Sequence, residues 1–139
     1  MVVITATINF TDQGENDMVD ITSKIEAQIR NSKLKKGICN IFVAGATGGI
    51  IAIEFEPGLR EDFPAMLERI APKNINYAHH MTWGDNNGHS HVRASLIGPS
   101  LTVPFKDGKL IHGTWQQIVF YEFDTRKRNR TLYLTIIGE

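Results

Sequence analysis

The segment Ile38-Cys-Asn-Ile-Phe-Val-Ala-Gly-Ala-Thr-Gly-Gly-Ile-Ile-Ala-Ile-Glu-Phe55 is the most apolar part of the chain and decides its fold class. Its pattern predicts two strands, Ile38–Ala44 and Ile50–Phe55, on either side of the glycine-rich stretch Gly45–Gly49. Both strands are almost continuously hydrophobic, which is typical of central strands in a sheet with at least one well-covered face. A tight hairpin turn is the simplest structure for the glycine-rich stretch.

Alternating side chains predict further strands elsewhere, and helical spacing predicts two helices. The predicted strands are Val2–Phe10, His91–Ile97, Leu101–Phe105, Gln117–Asp124 and Thr131–Ile137. One predicted helix begins at Ile21 and is closed by Lys33–Gly37; the other covers Leu59–Ile70, where Pro64 is tolerated only near the first turn. This order predicts one α+β domain over residues 1–139, with two main helices packed on a mixed, mainly antiparallel sheet.

The composition is that of an ordinary domain without a strongly charged surface. The chain has 139 residues, with 15 Lys and Arg against 15 Asp and Glu, so its formal net charge is zero. Zero net charge argues against a general nucleic-acid or membrane-surface binder. The single cysteine, Cys39, excludes an intrachain disulfide, and we expect it to pack in the core rather than act as a nucleophile. The sequence shows no signal peptide and no apolar span long enough for a bilayer, so we expect a cytoplasmic protein.

Four of the five histidines lie between positions 79 and 91. If His89 and His91 lie at the start of a strand, the period of two places both rings on one face, where they suit catalysis or the binding of metal or phosphate. His79 or His80 would supply a further nitrogen from the preceding loop. The alternative is a group of hydrogen-bonded surface histidines in a polar loop.

Two carboxylates repeat this spacing before the second predicted helix. Glu54 and Glu56 project from one face of the strand end, and Asp62 follows one or two turns into the helix. Neighbouring carboxylates suit acid–base catalysis or Mg²⁺, because a divalent cation relieves their repulsion. The alternative is a solvent-facing strand edge. A wider candidate set of ligands for Mg²⁺ or Zn²⁺ consists of His79, His80, His89 and Glu54.

Groups that suit phosphate occur in several segments. The backbone N–H groups of the glycine-rich stretch, together with the Thr47 hydroxyl, suit an anion-binding nest, and the stretch lacks the Lys-Ser/Thr ending of a P-loop. Residues 126–130 include four basic side chains. A solvated hairpin tip is the simpler interpretation of that run, and RNA binding is the other. Trp83 and Trp115 are candidates either to stack on an aromatic ligand or to fill the core or an interface.

The chain carries, in order, the segments Glu54–Gly58 with Asp62, Trp83–His91, Gly98–Pro104, Gly113–Gln117 and Glu122–Arg126. Over nearly the whole chain these motifs resemble the YjbQ-type family, whose members are named secondary thiamine-phosphate synthases. The resemblance implies a small α/β protein that forms a homotrimer with its active site near the subunit boundary. It also implies a weak ability to join hydroxymethylpyrimidine diphosphate to a thiazole phosphate.

Together, the residue patterns and the resemblance give a set of candidate functional positions. The candidates for catalysis are His89, His91, Glu54 and Asp62. Those for binding substrate or phosphate are Thr47, Gly48, Asn87, Ser100, Gln116 and Arg126. Further positions that match the family's motifs are His79 or His80, Asp85, Trp115 and Glu122.

One loop departs from the family's pattern. Many members carry His-Thr-Thr in the loop after the strand, where this chain reads Gly45-Ala46-Thr47. One imidazole is therefore absent, whereas Thr47 is retained.

These observations predict a metal-assisted transferase that acts on phosphorylated heterocycles, of the thiamine-phosphate synthase type. The alternatives are a metal-dependent hydrolase or phosphatase that uses the same residues, and a non-enzymatic trimer that binds a phosphorylated metabolite. The expected partners are further copies of the chain and a small phosphorylated metabolite, with no membrane and no nucleic acid.

Overall fold

A computed structural model describes all residues 1–139, and its strands form two antiparallel sheets. In chain order the elements are β1 (Val2–Thr11), β2 (Met18–Asp20), α1 (Thr22–Ser32), β3 (Lys36–Val43), β4 (Gly48–Glu54), α2 (Pro57–Ile70), α3 (His80–Trp83), α4 (Gly88–Ile97), β5 (Ser100–Lys106), β6 (Lys109–Leu110), β7 (Gln116–Glu122) and β8 (Asn129–Gly138). The larger sheet has the strand order β1-β8-β3-β5-β6, and the smaller has the order β2-β7-β4.

The main core lies between the two sheets. Alternate residues of the larger sheet, such as Ile41 and Leu132, point inward and meet Ile118 and Phe120 of the smaller sheet. Helix α1 closes this core with the buried residues Ile25 and Ile29, and Cys39 is fully buried within it. Burial raises the pKa of the Cys39 thiol to about 12, which confirms a packing role.

A second core lies on the other face of the smaller sheet, where α2 and α4 cover it. Leu67 of α2 and Ala94 of α4 pack there against Val119, Tyr121 and Phe123. The outer face of the larger sheet has no such cover. This arrangement confirms an α+β fold with antiparallel sheets and helices packed on a sheet. None of the helices has the length and apolar character needed to cross a membrane.

The predicted strand His91–Ile97 is wrong, because these residues belong to helix α4. The buried residues of this helix recur at helical spacing, with His89 and Arg93 on one row and Ser90 and Ala94 on the next. Most of these buried residues are polar, so an apolar stripe of period 3.6 is absent and the β-branched residues favour a strand. The other six predicted strands are confirmed to within two residues at each end.

The predicted hairpin at the glycine-rich stretch is also wrong. Strand β3 lies in the larger sheet and β4 in the smaller one, so residues 44–47 cross from one sheet to the other. Strand β4 pairs with β7, with Gly48 opposite Glu122 and Glu54 opposite Gln116. The glycines permit a close approach here, since a Cβ on Gly48 would lie 2.8 Å from the Phe120 ring.

Helix α2 begins earlier than predicted, at Pro57. The carboxylate of Glu56 caps it by accepting hydrogen bonds from the N–H groups of Gly58 and Leu59. Pro64 lies inside the helix, which continues through it because Phe63, Met66 and Leu67 pack on the smaller sheet. Proline there removes one backbone hydrogen bond, and the packing of this face offsets the loss.

Candidate functional site

A cleft of about 170 Å³ lies between α4 and the connection from β3 to β4. Most of the residues that line the cleft are small, so backbone atoms form much of its surface. The lining residues are Gly45, Ala46, Gly48, His91, Ala94, Ser95 and Pro99. His91 is the one ionisable side chain in this lining.

The ring of His91 packs against the ring of His79, with 4.3 Å between the ring centres. His79 comes from the turn before α3, and its Nε2 lies 3.7 Å from Asp85 Oδ1. The side-chain amide of Asn87 lies between two carboxylates: it donates to Asp124 Oδ1 at 3.3 Å, or, with the amide rotated, to Asp85 Oδ1 at 2.9 Å. The segment 79–91 thus places two imidazoles and the carboxylate of Asp85 at one edge of the cleft, and Asn87 connects the segment to the carboxylate of Asp124.

The pKa of His91 is lowered from its ordinary value. Burial is the main cause, because it disfavours the charged ring, and the charge of His79 acts in the same direction. Asp124 and Asp85 oppose this effect without reversing it. His91 is therefore mostly neutral at pH 7, the state in which an imidazole accepts a proton or a hydrogen bond.

A buried ion pair lies beneath the connection between β3 and β4. Arg130 donates from Nε to Glu122 Oε2 at 2.8 Å and from Nη2 to Glu122 Oε1 at 2.5 Å. Nη2 also donates to the Thr47 hydroxyl at 2.9 Å. Arg130 is 5% exposed and Glu122 fully buried. The fork geometry satisfies both carboxylate oxygens, which such a buried pair requires.

The pKa of the Glu122 carboxyl is raised above its ordinary value. Burial is the main cause that raises its pKa to about 7, and the neighbouring Asp12 carboxyl raises it further, against the lowering effect of Arg130. Asp12 is itself buried, and its Oδ2 has no hydrogen-bond partner. A proton held between these two carboxyls would supply that partner.

Asp124 connects the ion pair to the histidines. It accepts hydrogen bonds from the Thr47 hydroxyl at 3.2 Å and from the N–H of Thr125 at 2.8 Å, and it pairs with Arg128. Burial alone would raise its pKa, but these hydrogen bonds, that of Asn87 and the charge of Arg128 lower it below its usual value. Asp124 is therefore a carboxylate at neutral pH.

The structure brings together one group of the residues that the sequence singles out. Thr47 and Gly48 lie on one side of the cleft region, and His91, His79 and Asn87 lie on the other. His89, in contrast, points away from His91, because residues two apart on a helix lie on nearly opposite faces. The predicted common face of these two histidines is therefore wrong.

His89 and His80 both have other partners. His89 is fully buried, and its Nε2 lies 2.6 Å from Glu15 Oε1, while Lys73 Nζ lies 2.6 Å from the other oxygen of that carboxylate. His80 Nε2 accepts a hydrogen bond from the N–H of Gly88 at 3.0 Å. These contacts hold the start of α4 against the loops that precede and face it.

A second group of predicted residues lies at the far end of β4 and β7. Glu54 pairs in register with Gln116, six residues from the Gly48–Glu122 pair, which corresponds to roughly 20 Å along the strands. Trp115 is next to Gln116 and 74% exposed. Asp62 is exposed on α2, which follows β4. Glu54 and Asp62 therefore lie away from the cleft within one chain.

The remaining candidates have separate environments. Ser100 accepts a hydrogen bond from Asn40 at 2.8 Å on the open face of the larger sheet, and Arg126 is exposed in the turn before β8. Trp83 is 76% exposed, so neither tryptophan fills the core. The basic run is not wholly a solvated tip either, because Arg130 is buried and Arg128 half-buried.

The four predicted metal ligands, His79, His80, His89 and Glu54, do not converge. No group of three or more His, Cys, Asp or Glu side chains has the arrangement needed to hold a metal ion. His79, His91 and Asp85 come nearest to such a set, and they do not meet at one point. Within one chain these residues form no preformed site for a resident metal.

Sequence reasoning missed Arg130 as the centre of the ion pair, together with Asp12 and Asp124. The alternation of β8 indicates that Arg130 points inward, because it is in phase with the inward residues Leu132, Leu134 and Ile136. A charged residue at an inward position requires a buried partner. Asp12 and Asp124 lie in turns, where no periodic signal marks burial.

Comparison with known proteins identifies relatives of the whole chain. The family model described as UPF0047 protein YjbQ-like matches residues 6–139. A UPF0047 protein of Methanocaldococcus jannaschii is 41% identical over 124 residues, covering 88% of this chain and 86% of that protein. The UPF0047 protein YugU of Bacillus subtilis is 31% identical over 133 residues, covering 95% of this chain and 98% of that protein.

Solved structures share the fold over the same length. A YbjQ-like protein of unknown function from Sulfolobus solfataricus P2 has a TM-score of 0.88 at 32% identity, covering 99% of this chain and all (100%) of the other. An uncharacterised YjbQ/UPF0047 family protein from Clostridium acetobutylicum has a TM-score of 0.83 at 32% identity, covering 94% of this chain and 99% of the other. The chain belongs to the YjbQ-like UPF0047 protein family.

Proposed function

We propose that the protein is a transferase of the thiamine-phosphate synthase type, which joins a pyrimidine diphosphate to a thiazole phosphate with loss of pyrophosphate. The observation that carries the proposal is the cleft itself, where the neutral imidazole of His91 faces the backbone of Gly45 and Gly48. A neutral imidazole that can accept a hydrogen bond and a polar backbone surface at one cleft suit a small phosphorylated heterocycle.

The backbone of the connection supplies the phosphate-binding element. The N–H groups of Ala46 and Thr47 donate to no backbone carbonyl, although both lie between two well-paired strands. Two successive unpaired N–H groups carry partial positive charge, which suits phosphate oxygens and a departing pyrophosphate. The requirement for a metal ion stays a prediction. A diphosphate substrate would bring Mg²⁺ with it from solution.

His91 is proposed to accept a hydrogen bond from the amino group of the pyrimidine, and His79 is a positioning residue. In the reaction the thiazole ring nitrogen attacks the methylene carbon of the pyrimidine while the bond from that carbon to the diphosphate oxygen breaks, so pyrophosphate leaves and no proton is removed from the nucleophile. The ring contact with His79 fixes the orientation of His91, and the positive charge of a protonated His79 favours the neutral form of His91. Asp85 and Asn87 hold His79 in turn. This chain of contacts keeps His91 directed at the cleft.

We further propose that the protein is a homotrimer, as the family resemblance implies. The outer face of the larger sheet is the proposed contact surface, because it exposes apolar side chains that no helix covers. They are Val3, Ile38, Phe42 and Tyr133, each between 41% and 64% exposed.

The test of the transferase is a steady-state assay with hydroxymethylpyrimidine diphosphate, thiazole phosphate and Mg²⁺. We expect thiamine phosphate to form, and we expect His91→Ala to reduce its rate by about tenfold through loss of the hydrogen-bond acceptor for the pyrimidine. His112→Ala is the matched control, because His112 lies outside the cleft, before β7, and should retain the wild-type rate. Absence of product from the wild type contradicts the proposal.

A second candidate is a protein that binds a phosphorylated metabolite without turning it over. The observation that favours it is Gly45, which stands where the resembled family commonly has a histidine. Binding of both substrates in the assay buffer, with no product, is the outcome that supports this candidate.

A further inference from the structure

We propose that Arg130 anchors the anionic ligand of the cleft, and that it reaches the ligand because residue 45 is glycine. This inference rests on the proposed function, since it assigns the phosphoryl group of that ligand to a specific guanidinium. Neither arginine lines the cleft itself: Arg126, the arginine singled out by the motifs, is exposed in a turn, whereas Arg130 lies directly beside the lining residue Gly45.

One guanidinium nitrogen of Arg130 takes no part in the buried ion pair. Nε and Nη2 donate to Glu122 and Thr47, whereas Nη1 donates to no protein group. Arg130 is only 5% exposed, so this free donor belongs to a side chain that the fold holds rigidly. An unpaired donor on a buried charged group is costly unless it meets a ligand or water.

The free nitrogen lies against Gly45. A Cβ placed on Gly45 would lie 2.6 Å from Arg130 Nη1, closer than any side chain tolerates. The backbone of Gly45 is not in the left-handed region, so glycine is not needed there for its φ angle. What glycine provides at this position is the space that Nη1 occupies beside the cleft.

The surrounding charges leave Arg130 able to attract an anion. Burial raises the pKa of Glu122 to about 7, so around neutral pH Glu122 offsets the guanidinium charge only in part. The unpaired N–H groups of Ala46 and Thr47 belong to the same connection. A guanidinium N–H and two backbone N–H groups together match the oxygens of a phosphoryl group.

The test is calorimetric titration with inorganic pyrophosphate of the wild type, Gly45→Ala and the control Gly113→Ala. We expect the Gly45→Ala methyl to displace Nη1 and to weaken binding by about tenfold, the effect of losing one charge-assisted hydrogen bond. Gly113→Ala makes the same chemical change where the nearest atom would lie 3.5 Å away, and it should bind like the wild type.

A second measurement uses the wild type alone, in case Gly45→Ala does not fold. The Nε–H resonance of Arg130 in a nitrogen-15 spectrum should shift when pyrophosphate is added. An unshifted resonance, equal binding by Gly45→Ala and the wild type, or no binding by the wild type overturns the anchor. The transferase assay is read separately: product with equal binding refutes only the anchor, and weakened binding without product refutes only the transferase.

Discussion

At the scale of single residues, the site depends on charged groups that lie inside the molecule. Arg130 and Glu122 occupy inward positions of β8 and β7, where a charge without a partner would be strongly destabilising. Their two-point hydrogen bonding, with Thr47 as a third member, makes burial tolerable. The same contacts fix the guanidinium beneath the connection that lines the cleft.

The raised pKa of Glu122 predicts a specific pH dependence of stability. Its pKa of about 7 in the folded chain lies above the reference value of 4.5, so the folded chain holds a proton that the unfolded chain releases. The stabilisation is complete below pH ~4.5 and is lost as the pH rises through about 7, with a slope on the order of 1 kcal/mol per pH unit. We expect Glu122→Gln to remove this slope.

The measurement is urea unfolding of both proteins between about pH 5 and pH 7.5. The lowered pKa of His91 acts in the opposite direction over part of this range, but it is present in both proteins and cancels in their difference. The carboxylates with lowered pKa values, Asp124 and Glu15, are ionised throughout it. Parallel stability curves for the wild type and Glu122→Gln would show that Glu122 holds no proton.

At the scale of elements, the connection between β3 and β4 and the helix α4 create the cleft. The connection crosses between sheets, so its N–H groups are not used by a ladder, and α4 packs on the smaller sheet and presents His91 to it. The buried face of α4 carries polar residues that contact neighbouring elements, as Arg93 does with Glu68 of α2 and with the carbonyl of Ala71 at the end of that helix.

The contrast between Glu56 and Glu54 gives a test at this scale. The Glu56 carboxylate caps α2 by accepting hydrogen bonds from two N–H groups, whereas the exposed side chain of Glu54 forms no hydrogen bond or ion pair. We expect Glu56→Ala to lower the free energy of unfolding by about 1 kcal/mol, and Glu54→Ala by less than about 0.5 kcal/mol. Equal effects in thermal or urea unfolding would contradict the capping role.

The elements that sequence could predict are those with apolar periodicity. Strands such as β1 and β8 alternate regularly, and their bounds are confirmed closely. Helix α4 is predicted as a strand because its buried face carries polar residues, and the burial of His89 and Arg93 depends on partners distant in the chain. A local sequence pattern carries no information about such partners. For the same reason, the sequence predicts a hairpin at Gly45 where the chain crosses from one sheet to the other.

The same limit applies to the candidate site. The structure brings the histidine-dense segment and the glycine-rich stretch to one cleft region, with His79, His91 and Thr47 around it. The sequence groups Glu54 with them by residue type and by the family's motif Glu54–Gly58. Its register opposite Gln116 places it at the other end of the smaller sheet, a fact that depends on strand pairing.

At the scale of the whole molecule, one face of the larger sheet lacks a covering layer. Two sheets and two helical layers bury the rest of the apolar surface, but Phe42 and Tyr133 remain adjacent and exposed on this face. Exposed apolar patches on an otherwise well-packed domain commonly mark contacts with other chains.

The trimer predicts a mass of three times 15.6 kDa in sedimentation equilibrium. We expect Phe42→Asp to shift this mass toward that of one chain, because it places a charge in the proposed contact. Ile70→Asp is the matched control, since Ile70 is 57% exposed on α2 and away from the sheet face. A wild type that sediments as a single chain, or equal masses for both variants, contradicts this assembly.

The most direct test of the proposed site is a map of backbone amide shifts in nitrogen-15 spectra as hydroxymethylpyrimidine diphosphate is added. If the cleft is the binding site, the largest shifts fall on the amides of Ala46, Thr47 and Gly48 and on α4 around His91. Shifts confined to the opposite end of the smaller sheet, at Glu54 and Gln116, or no shifts at all, would contradict it.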